Sequence, residues 1–268
     1  MTFQHKLARL KRKICGYKSC VVAFSGGQDS ALLLKLCSLV LPKENTLAVT
    51  AVSATYPKDE LRKAKILAEE IGIKLRVIKT AELDNKKFTA NSVSRCYFCK
   101  KELFLKLIAI ARKKNFDFVL DASNVSDKSD YRPGDTAKNE LGIRSPLLEA
   151  GFGKKDIRKL SKMLGLSSWD KPPLACLASR IPYGTKITAG LLKRIDQAEV
   201  YLTSLGLRLV RLRHYNGLCR IEVEKKDINR LLRNRRTIVD KLKRLGYNYI
   251  TLDLEGYRTG SLNEVIKR

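Results

Sequence analysis

Between Cys20 and Leu41 the chain runs from an unbroken apolar segment, Cys20-Val21-Val22-Ala23-Phe24, through Ser25-Gly26-Gly27-Gln28-Asp29-Ser30, into a segment of helical composition that stops at Pro42. This run constrains the fold more than any other. A short apolar run bounded by glycine is a buried strand, and a helix that follows a Gly-Gly pair leaves the strand's carboxyl end by a tight turn. Gly26 and Gly27 let backbone N–H groups approach an anion closely, and the helix N-terminus adds favourable potential there. Ser25 and Ser30 can donate hydroxyls to phosphate, and Asp29 can help hold a Mg2+ ion bound to it. No Gly-Lys-Ser/Thr follows, which excludes a Walker A loop. The competing reading is a tight strand-to-helix turn capped by serine. Residue order and strand context favour the phosphate cradle.

The same rhythm continues. Leu47–Val52 reads as a second buried strand, Lys58–Ile71 as a helix closed by Gly72, and Leu75–Ile78 as a third strand. Lys100–Lys114 reads as a helix and Phe116–Leu120 as a fourth strand. This alternation predicts an α/β fold with a parallel sheet and crossover helices, whose ligands bind beyond the carboxyl ends of the strands. Ser53 follows the second strand, and Asn124 and Asp127 follow the fourth. Residues 1–168 are taken as this domain. Pro172, Pro173, Pro182 and Gly184 mark residues 169–184 as an interdomain segment. Residues 185–268 change pattern, with helices over 188–205 and 226–245, strands over 207–213, 218–223 and 247–252, and an Asn216-Gly217 hairpin turn. They are expected to form a smaller α+β domain.

Two histidines, His5 and His214, supply little for histidine-based zinc chemistry or a Ser-His-Asp relay. No apolar stretch approaches the roughly 18 to 20 residues of a membrane span, and Met1–Lys13 has no continuous apolar run of a signal peptide. A cytoplasmic protein with no membrane partner is expected. The formal net charge of +27 suits a nucleic-acid binder, and equally a general Lys/Arg excess over solvated faces. Its densest part is Arg208–Arg244, without the aromatic interleaving of RNA-recognition motifs.

Seven cysteines in a cytosolic chain point to metal binding, catalysis or packing before disulfides. Cys96-Tyr97-Phe98-Cys99, placed just ahead of a helix, accommodates a metal or cluster, a redox pair or two packed thiols. Cys176 sits in a loop without core periodicity, flanked by Lys171 and Arg180, and reads as a reactive thiol or a buried loop anchor. Cys15, Cys20, Cys37 and Cys219 read as small hydrophobes. Arg211 and Arg213 alternate on one strand face, either to grip a phosphate or to face solvent.

Ser-Gly-Gly-Gln-Asp-Ser resembles the PP-loop of ATP pyrophosphatases, which split ATP into AMP and pyrophosphate while adenylating a substrate. Arg95–Lys100, Asp121–Gly134, Lys171–Gly184 and Leu252–Asn263 extend the resemblance along the chain to the LarE family, ATP-dependent sulfur transferases that make the nickel-pincer nucleotide cofactor. The resemblance implies an adenine nucleotide alpha hydrolase-like domain followed by a smaller one. It implies ATP and Mg2+ as cofactors, and adenylation of a carboxylate of pyridinium-3,5-biscarboxylate mononucleotide. A sulfur nucleophile then displaces AMP to leave a thiocarboxylate. Ser25, Gly26, Gly27, Asp29, Ser30, Ser53, Asn124, Asp127, Arg132, Arg180, Arg211 and Arg213 would bind these nucleotides, with Asp29 and Cys176 catalytic.

Some members of that family spend the cysteine matching Cys176 as a sacrificial donor, leaving dehydroalanine. Others bind a [4Fe-4S] cluster through three cysteines, matching Cys96, Cys99 and Cys176, with one iron open for an extra sulfide. This chain has all three, which favours the cluster version with sulfide or another sulfur donor as partner. A homo-oligomer is expected. Asp121-Ala-Ser-Asn124 departs from the family's more usual Gly-Thr before the asparagine. The alternatives are a tRNA thiolation enzyme of the PP-loop class and a noncatalytic nucleotide-binding regulator.

Overall fold

The computed structural model describes residues 1–129 and 131–266. Asp130, within the Asp-Tyr-Arg-Pro-Gly segment, lies outside the described residues. In chain order the elements are α1 (Phe3–Gly16), β1 (Cys20–Ala23), α2 (Gln28–Val40), β2 (Thr46–Val52), α3 (Lys58–Ile71), β3 (Leu75–Lys79), α4 (Lys86–Thr89), α5 (Arg95–Lys113) and β4 (Phe118–Leu120). They continue with α6 (Gly134–Glu140), α7 (Pro146–Glu149), α8 (Lys154–Met163), α9 (Ala189–Ser204), β5 (Val210–Tyr215), β6 (Leu218–Val223), α10 (Ile228–Arg233), α11 (Arg235–Arg244) and β7 (Tyr249–Leu252). Among the described residues no helix is long and apolar enough to cross a membrane.

The chain divides into two compact units. The first comprises Met1–Ser53, Lys58–Asn85 and Ser94–Leu174. Its sheet has the order β3-β2-β1-β4, every pairing parallel, as the alternation of strands and helices requires. Period-two alternation splits β1 between two cores. Cys20 and Val22 join Leu10, Ile14, Leu33, Ala64, Leu67 and Leu160 on one face. Val21 joins Phe104, Leu107 and Val119 on the other. β1 is therefore central and apolar on both sides, and its carboxyl end opens at Ser25.

In this unit α1 was not outlined from the sequence, and α5 differs from its outline. α1 builds on the basic N-terminal stretch, because Phe3, Leu7, Leu10 and Ile14 fall at helical spacing and Thr2 caps the first turn by accepting from the His5 N–H at 3.3 Å. α5 starts at Arg95 rather than near Lys100, since nothing between the two residues breaks a helix. Cys96 and Cys99 thereby belong to its first turns.

The second unit comprises Ala54–Pro57, Lys86–Val93 and the chain from Ala175 onward. Its sheet has the order β5-β6-β7, with β5 and β6 antiparallel and β6 and β7 parallel. Asn216 and Gly217 both take positive φ, 44° and 97°, the backbone a two-residue hairpin demands. Val210, Leu212, Cys219, Ile221 and Val223 are buried on one face. Arg211, Arg213 and Glu222 occupy the other, because register pairs Arg211 with Glu222 and Arg213 with Arg220. The 226–245 segment, outlined as one helix, is two. Asn234 (φ −96°, ψ 12°) interrupts it between α10 and α11.

Candidate functional site

In the first unit the loop from β1 to α2 is built from its own small residues. Gly26 has φ +71°, and a Cβ there would lie 2.8 Å from the Ala64 Cβ on α3. Only glycine fits, on both counts. Gly27 is the N-cap of α2 and brings no side-chain acceptor, so the first-turn N–H groups are left for a ligand. The Ser25 and Ser30 hydroxyls lie 3.1 Å apart, and Ser30 Oγ donates to the Gly27 carbonyl at 3.1 Å. The Gly27 N–H donates to Ser25 Oγ at a long 3.3 Å.

Asp29 lies in the first turn of α2. Its Oδ2 is ion-paired with Lys154 Nζ, while its Oδ1 is buried without a hydrogen-bond partner. Burial raises the Asp29 carboxyl above its ordinary range, against the pull of Lys154. Lys171 Nζ reaches the Gly26 carbonyl at 2.9 Å and the Glu60 carboxylate at 2.7 Å. Gln28 Nε2 donates to the Trp169 carbonyl.

Ser53 follows β2 on the same edge of the sheet, and the loop after β4 completes the rim. Asn124 is fully buried, and both its backbone N–H and its Nδ2 donate to Asp127 Oδ2, at 2.9 and 3.0 Å. Asp127 Oδ1 pairs with Arg132 at 2.8 Å. Asn124, Asp127 and Arg132 therefore form one hydrogen-bonded unit. The unusual Asp121-Ala-Ser-Asn run closes on itself. Asp121 Oδ2 accepts from Ser123 Oγ at 2.7 Å and Oδ1 from Ser145 Oγ at 2.5 Å.

Cys96 and Cys99 lie a helical turn apart, both part-exposed. Cys99 Sγ donates to Glu82 Oε1 at 3.6 Å. Cys20 and Cys37 are buried with their sulfurs 3.9 Å apart, and Cys219 is buried, whereas Cys15 is exposed.

In the second unit Cys176 is exposed and its neighbourhood is cationic. Arg180 is 2% exposed and grips Glu199 with two bonds, Nε to Oε1 at 2.9 Å and Nη2 to Oε2 at 2.8 Å. Its Nη1 donates to the Ala175 and Cys176 carbonyls at 2.8 and 2.9 Å, which fixes the backbone bearing the thiol. Burial works against the Arg180 cation, but the charge and hydrogen bonds of Glu199, with Cys176 and Tyr257 beside them, together outweigh it, and its pKa rises.

Arg213 grips Glu222 at 3.0 and 2.7 Å, and also donates to the Ser179 carbonyl and Ser261 Oγ. Arg211 stacks over Tyr257 with 5.5 Å to the ring centroid. Burial first, and the Arg180 and Arg213 cations next to it, push Arg211 down to about 10. Both strand arginines are buried, so the solvent-facing alternative is excluded. Arg180, Arg211 and Arg213 form one cluster that an anion would stabilise.

Sequence reasoning missed Lys154 and Glu199, and saw Lys171 only as a neighbour of Cys176. Lys154 left one signal. A lysine opening a helix opposes the helix dipole and needs an acidic partner.

The family model for NAD synthase matches residues 4–128. The chain is 38% identical over 267 residues to the pyridinium-3,5-bisthiocarboxylic acid mononucleotide synthase of Lactiplantibacillus plantarum, a match covering 100% of this chain and 97% of that protein. It is 40% identical over 267 residues to an uncharacterized protein of Synechocystis, covering 99% of each. It is 33% identical over 262 residues to an uncharacterized protein of Methanocaldococcus jannaschii, covering 97% of this chain and 100% of that one.

Proposed function

The chain belongs to the LarE family of PP-loop enzymes, and from that premise we infer that it is an ATP-dependent sulfur transferase converting a carboxylate of a pyridinium-3,5-biscarboxylate mononucleotide into a thiocarboxylate. The observation that carries this reading is the end-to-end match to a bisthiocarboxylic acid mononucleotide synthase.

The triphosphate would lie on the N–H groups opening α2, with Ser25 and Ser30 donating hydroxyls. Asp29 suits Mg2+, because its Oδ1 is buried and unpartnered. With Asp29 engaged by the cation, Lys154 would exchange it for a phosphate oxygen. A substrate carboxylate oxygen attacks the α-phosphorus, the bond to the β-bridging oxygen breaks, and pyrophosphate leaves with the electron pair. A sulfur nucleophile then adds to the acyl carbon, AMP departs, and a thiocarboxylate remains. Preorganised positive charge at the leaving phosphates lowers the barrier to the first step. Ser53 and the Asn124–Asp127–Arg132 unit would shape the nucleotide rim. Arg211 and Arg213, with Arg180 behind them, would receive the substrate phosphate. The need for ATP and reduced thiols suits the cytoplasm.

Cys96, Cys99 and Cys176 would hold a [4Fe-4S] cluster. These are the thiols outside the cores, apart from Cys15, and the turn spacing of the first two presents both on one side of α5. Among the described residues no three His, Cys, Asp or Glu side chains already surround one point, so the reading rests on the number and exposure of these thiols. When bound, such a cluster supplies an open iron position able to carry sulfide.

The test is anaerobic incubation with ATP, Mg2+, sulfide and the biscarboxylate nucleotide, reading AMP and thiocarboxylate by mass spectrometry. AMP formation that ignores the nucleotide would overturn the assignment. About four irons per chain, lost in Cys96→Ala, Cys99→Ala and Cys176→Ala, supports the cluster. A colourless active protein whose Cys176 loses one hydrogen sulfide per turnover rejects the cluster in favour of the sacrificial route.

A further inference from the structure

We propose that Tyr257 and Ser261, on the C-terminal segment after β7, are positioning residues that hold Arg211 and Arg213 in place for the phosphate ester of the substrate. This rests on the reading that these two arginines receive that phosphate. All of these groups lie in the second unit.

A turn dictated by its residues brings the segment back along β6. The Asp253 N–H donates to the Ile221 carbonyl at 2.9 Å, and Asp253 Oδ1 accepts from the Glu255 N–H at 2.9 Å. Gly256 takes φ +74°, and a Cβ there would lie 2.8 Å from the Val223 carbonyl oxygen, so only glycine passes. The Tyr257 N–H donates to that same carbonyl at 2.8 Å. Farther on, Asn263 Oδ1 accepts from the Tyr183 hydroxyl at 2.9 Å. Apolar packing does little to hold the segment. Leu254 and Val265 are 85% and 72% exposed, and of its aliphatic side chains Leu262 alone is buried.

What the segment does touch is charged. Ser261 is buried between the members of the Arg213–Glu222 pair. Its Oγ accepts from Arg213 Nη2 at 3.0 Å and donates to Glu222 Oε1 at 3.0 Å. With Glu222 on Nε and Nη2, and the Ser179 carbonyl on Nη1, every N–H of Arg213 is engaged among the described residues except one on Nη1. An arginine tethered in this way cannot turn, and its remaining N–H has one direction. Tyr257 acts on Arg211 differently. The guanidinium lies over the ring, 5.5 Å from its centroid, while Nη1 donates to the Val210 carbonyl at 2.8 Å. A ring attracts the cation through its face and does not compete for the in-plane N–H groups, as a carboxylate would. Arg180, Arg211 and Arg213 repel one another, so side chains without such restraints would splay apart. The two residues thus set the direction of the cations without touching a reacting atom.

The experiment measures binding of the biscarboxylate mononucleotide, and of the same nucleoside without its phosphate, by equilibrium dialysis. Steady-state kinetics and thermal unfolding are run on the same proteins. The wild-type protein should bind the mononucleotide at least about tenfold more tightly than the nucleoside, and Arg211→Ala should lose that preference. Tyr257→Leu should weaken mononucleotide binding by about tenfold and leave the nucleoside unchanged, whereas Tyr257→Phe, which keeps the ring, should stay within about twofold of wild type. Ser261→Ala should weaken the mononucleotide by about tenfold as well. In both weakened variants KM for the mononucleotide should rise, with kcat and KM for ATP nearly unchanged. Variants that bind both ligands like wild type overturn the proposal. So does a Tyr257→Phe protein as weak as Tyr257→Leu, since the ring then plays no part. Losses that fall equally on the nucleoside, the mononucleotide and KM for ATP, together with a lowered melting temperature, overturn it in favour of a purely structural segment. A wild-type protein without preference for the phosphate, or an Arg211→Ala protein that retains it, defeats the reading of the arginines themselves and the proposal with it. That result is separate from any obtained with the Tyr257 and Ser261 variants.

Discussion

Gly26→Ala tests the phosphate loop through its stability and its chemistry together. At φ +71° an L-residue costs about 1–2 kcal/mol. The new methyl would also sit 2.8 Å from the Ala64 Cβ and 3.0 Å from its Cα, both on or beside helical backbone that cannot swing away. Overpacking of that kind costs about 1–3 kcal/mol. Together the substitution should destabilise the unit by about 2–5 kcal/mol. Trp169, the chain's single tryptophan, lies in the same unit with its carbonyl bonded to Gln28, so its fluorescence reports urea unfolding of the part in question. Adding Ala64→Gly should recover the contact share and not the φ share, giving a favourable coupling of about 1–3 kcal/mol in the double-mutant cycle, which already subtracts the roughly 1 kcal/mol that glycine costs in a helix. ATP turnover should be lost in Gly26→Ala even at low urea. Gly27→Ala is the contrast. Its methyl would meet Ser25 Oγ at 3.3 Å and Leu174 at 3.8 Å without a positive φ, so stability should fall by under about 1 kcal/mol while turnover drops. A Gly26→Ala protein within about 0.5 kcal/mol of wild type, or one whose destabilisation adds to that of Ala64→Gly without coupling, refutes the packing argument.

Asp29→Ala and Ser30→Ala should abolish AMP and pyrophosphate formation with the fold retained by circular dichroism, and survival of turnover within about tenfold in either would remove the phosphate-cradle assignment. His214 is held below its ordinary pKa by burial and by Arg194. Its contribution to stability is therefore complete above the unfolded value of about 6.5 and is lost as pH falls through the folded pKa, so His214→Leu should flatten the acid limb of a stability–pH curve. An unchanged limb in that variant assigns the acid sensitivity elsewhere. Binding of tRNA should be no tighter than binding of another polyanion of equal length and should fade steeply with salt in filter assays. Tight, salt-resistant binding of one tRNA favours the thiolation alternative.

Much of the architecture was legible because it rests on local rules. The apolar run at Cys20–Phe24 could only be a buried strand, and the Asn216-Gly217 pair could only be a tight turn. The tight turn after β1 was legible for the same reason, since Gly26 takes a positive φ with Ala64 against it, a place that no other residue tolerates. The hidden features depend on partners far along the chain. Lys154 lies 125 residues from Asp29, and Lys171 lies 145 residues from the Gly26 carbonyl. A lysine among 54 Lys and Arg residues carries no mark of which acid it will meet. The start of α5 was missed by five residues because cysteines and aromatics are indifferent helix formers, and only packing of Phe104 and Leu107 commits the turn ahead of them. Arg211 and Arg213 alternate on one strand like solvated residues. Their burial follows from Glu222 on the paired strand and Ser261 near the chain's end.

Four ion pairs, from the part-exposed Asp29–Lys154 to the buried Glu222–Arg213, share one arrangement that bears on how each site would load. Asp29 is met by Lys154, Glu60 by Lys171, Glu199 by Arg180 and Glu222 by Arg213. A buried charge without a partner costs several kcal/mol, so a protein that must receive anions cannot keep bare cations waiting for them. Pairing each cation with an internal carboxylate meets that requirement and turns ligand binding into an exchange of partners. The exchange is easiest where the internal carboxylate gains something in return. Asp29 has such a return, because a divalent cation bound to the triphosphate would satisfy its orphaned Oδ1 while Lys154 moves to phosphate. Glu199 and Glu222 have no comparable orphaned atom, and their arginines are held by two bonds each. Arg180 would thus stay paired as scaffolding, and Arg211, which stays cationic although burial and the neighbouring arginines push it down to about 10, would meet an arriving phosphate together with Arg213. Arg211→Lys keeps a cation but removes the guanidinium's two-pronged fit and its stacking on Tyr257. It should raise KM for the mononucleotide by about tenfold and leave KM for ATP unchanged. Equal effects on both constants in steady-state assays would show that the cluster serves the fold rather than the substrate.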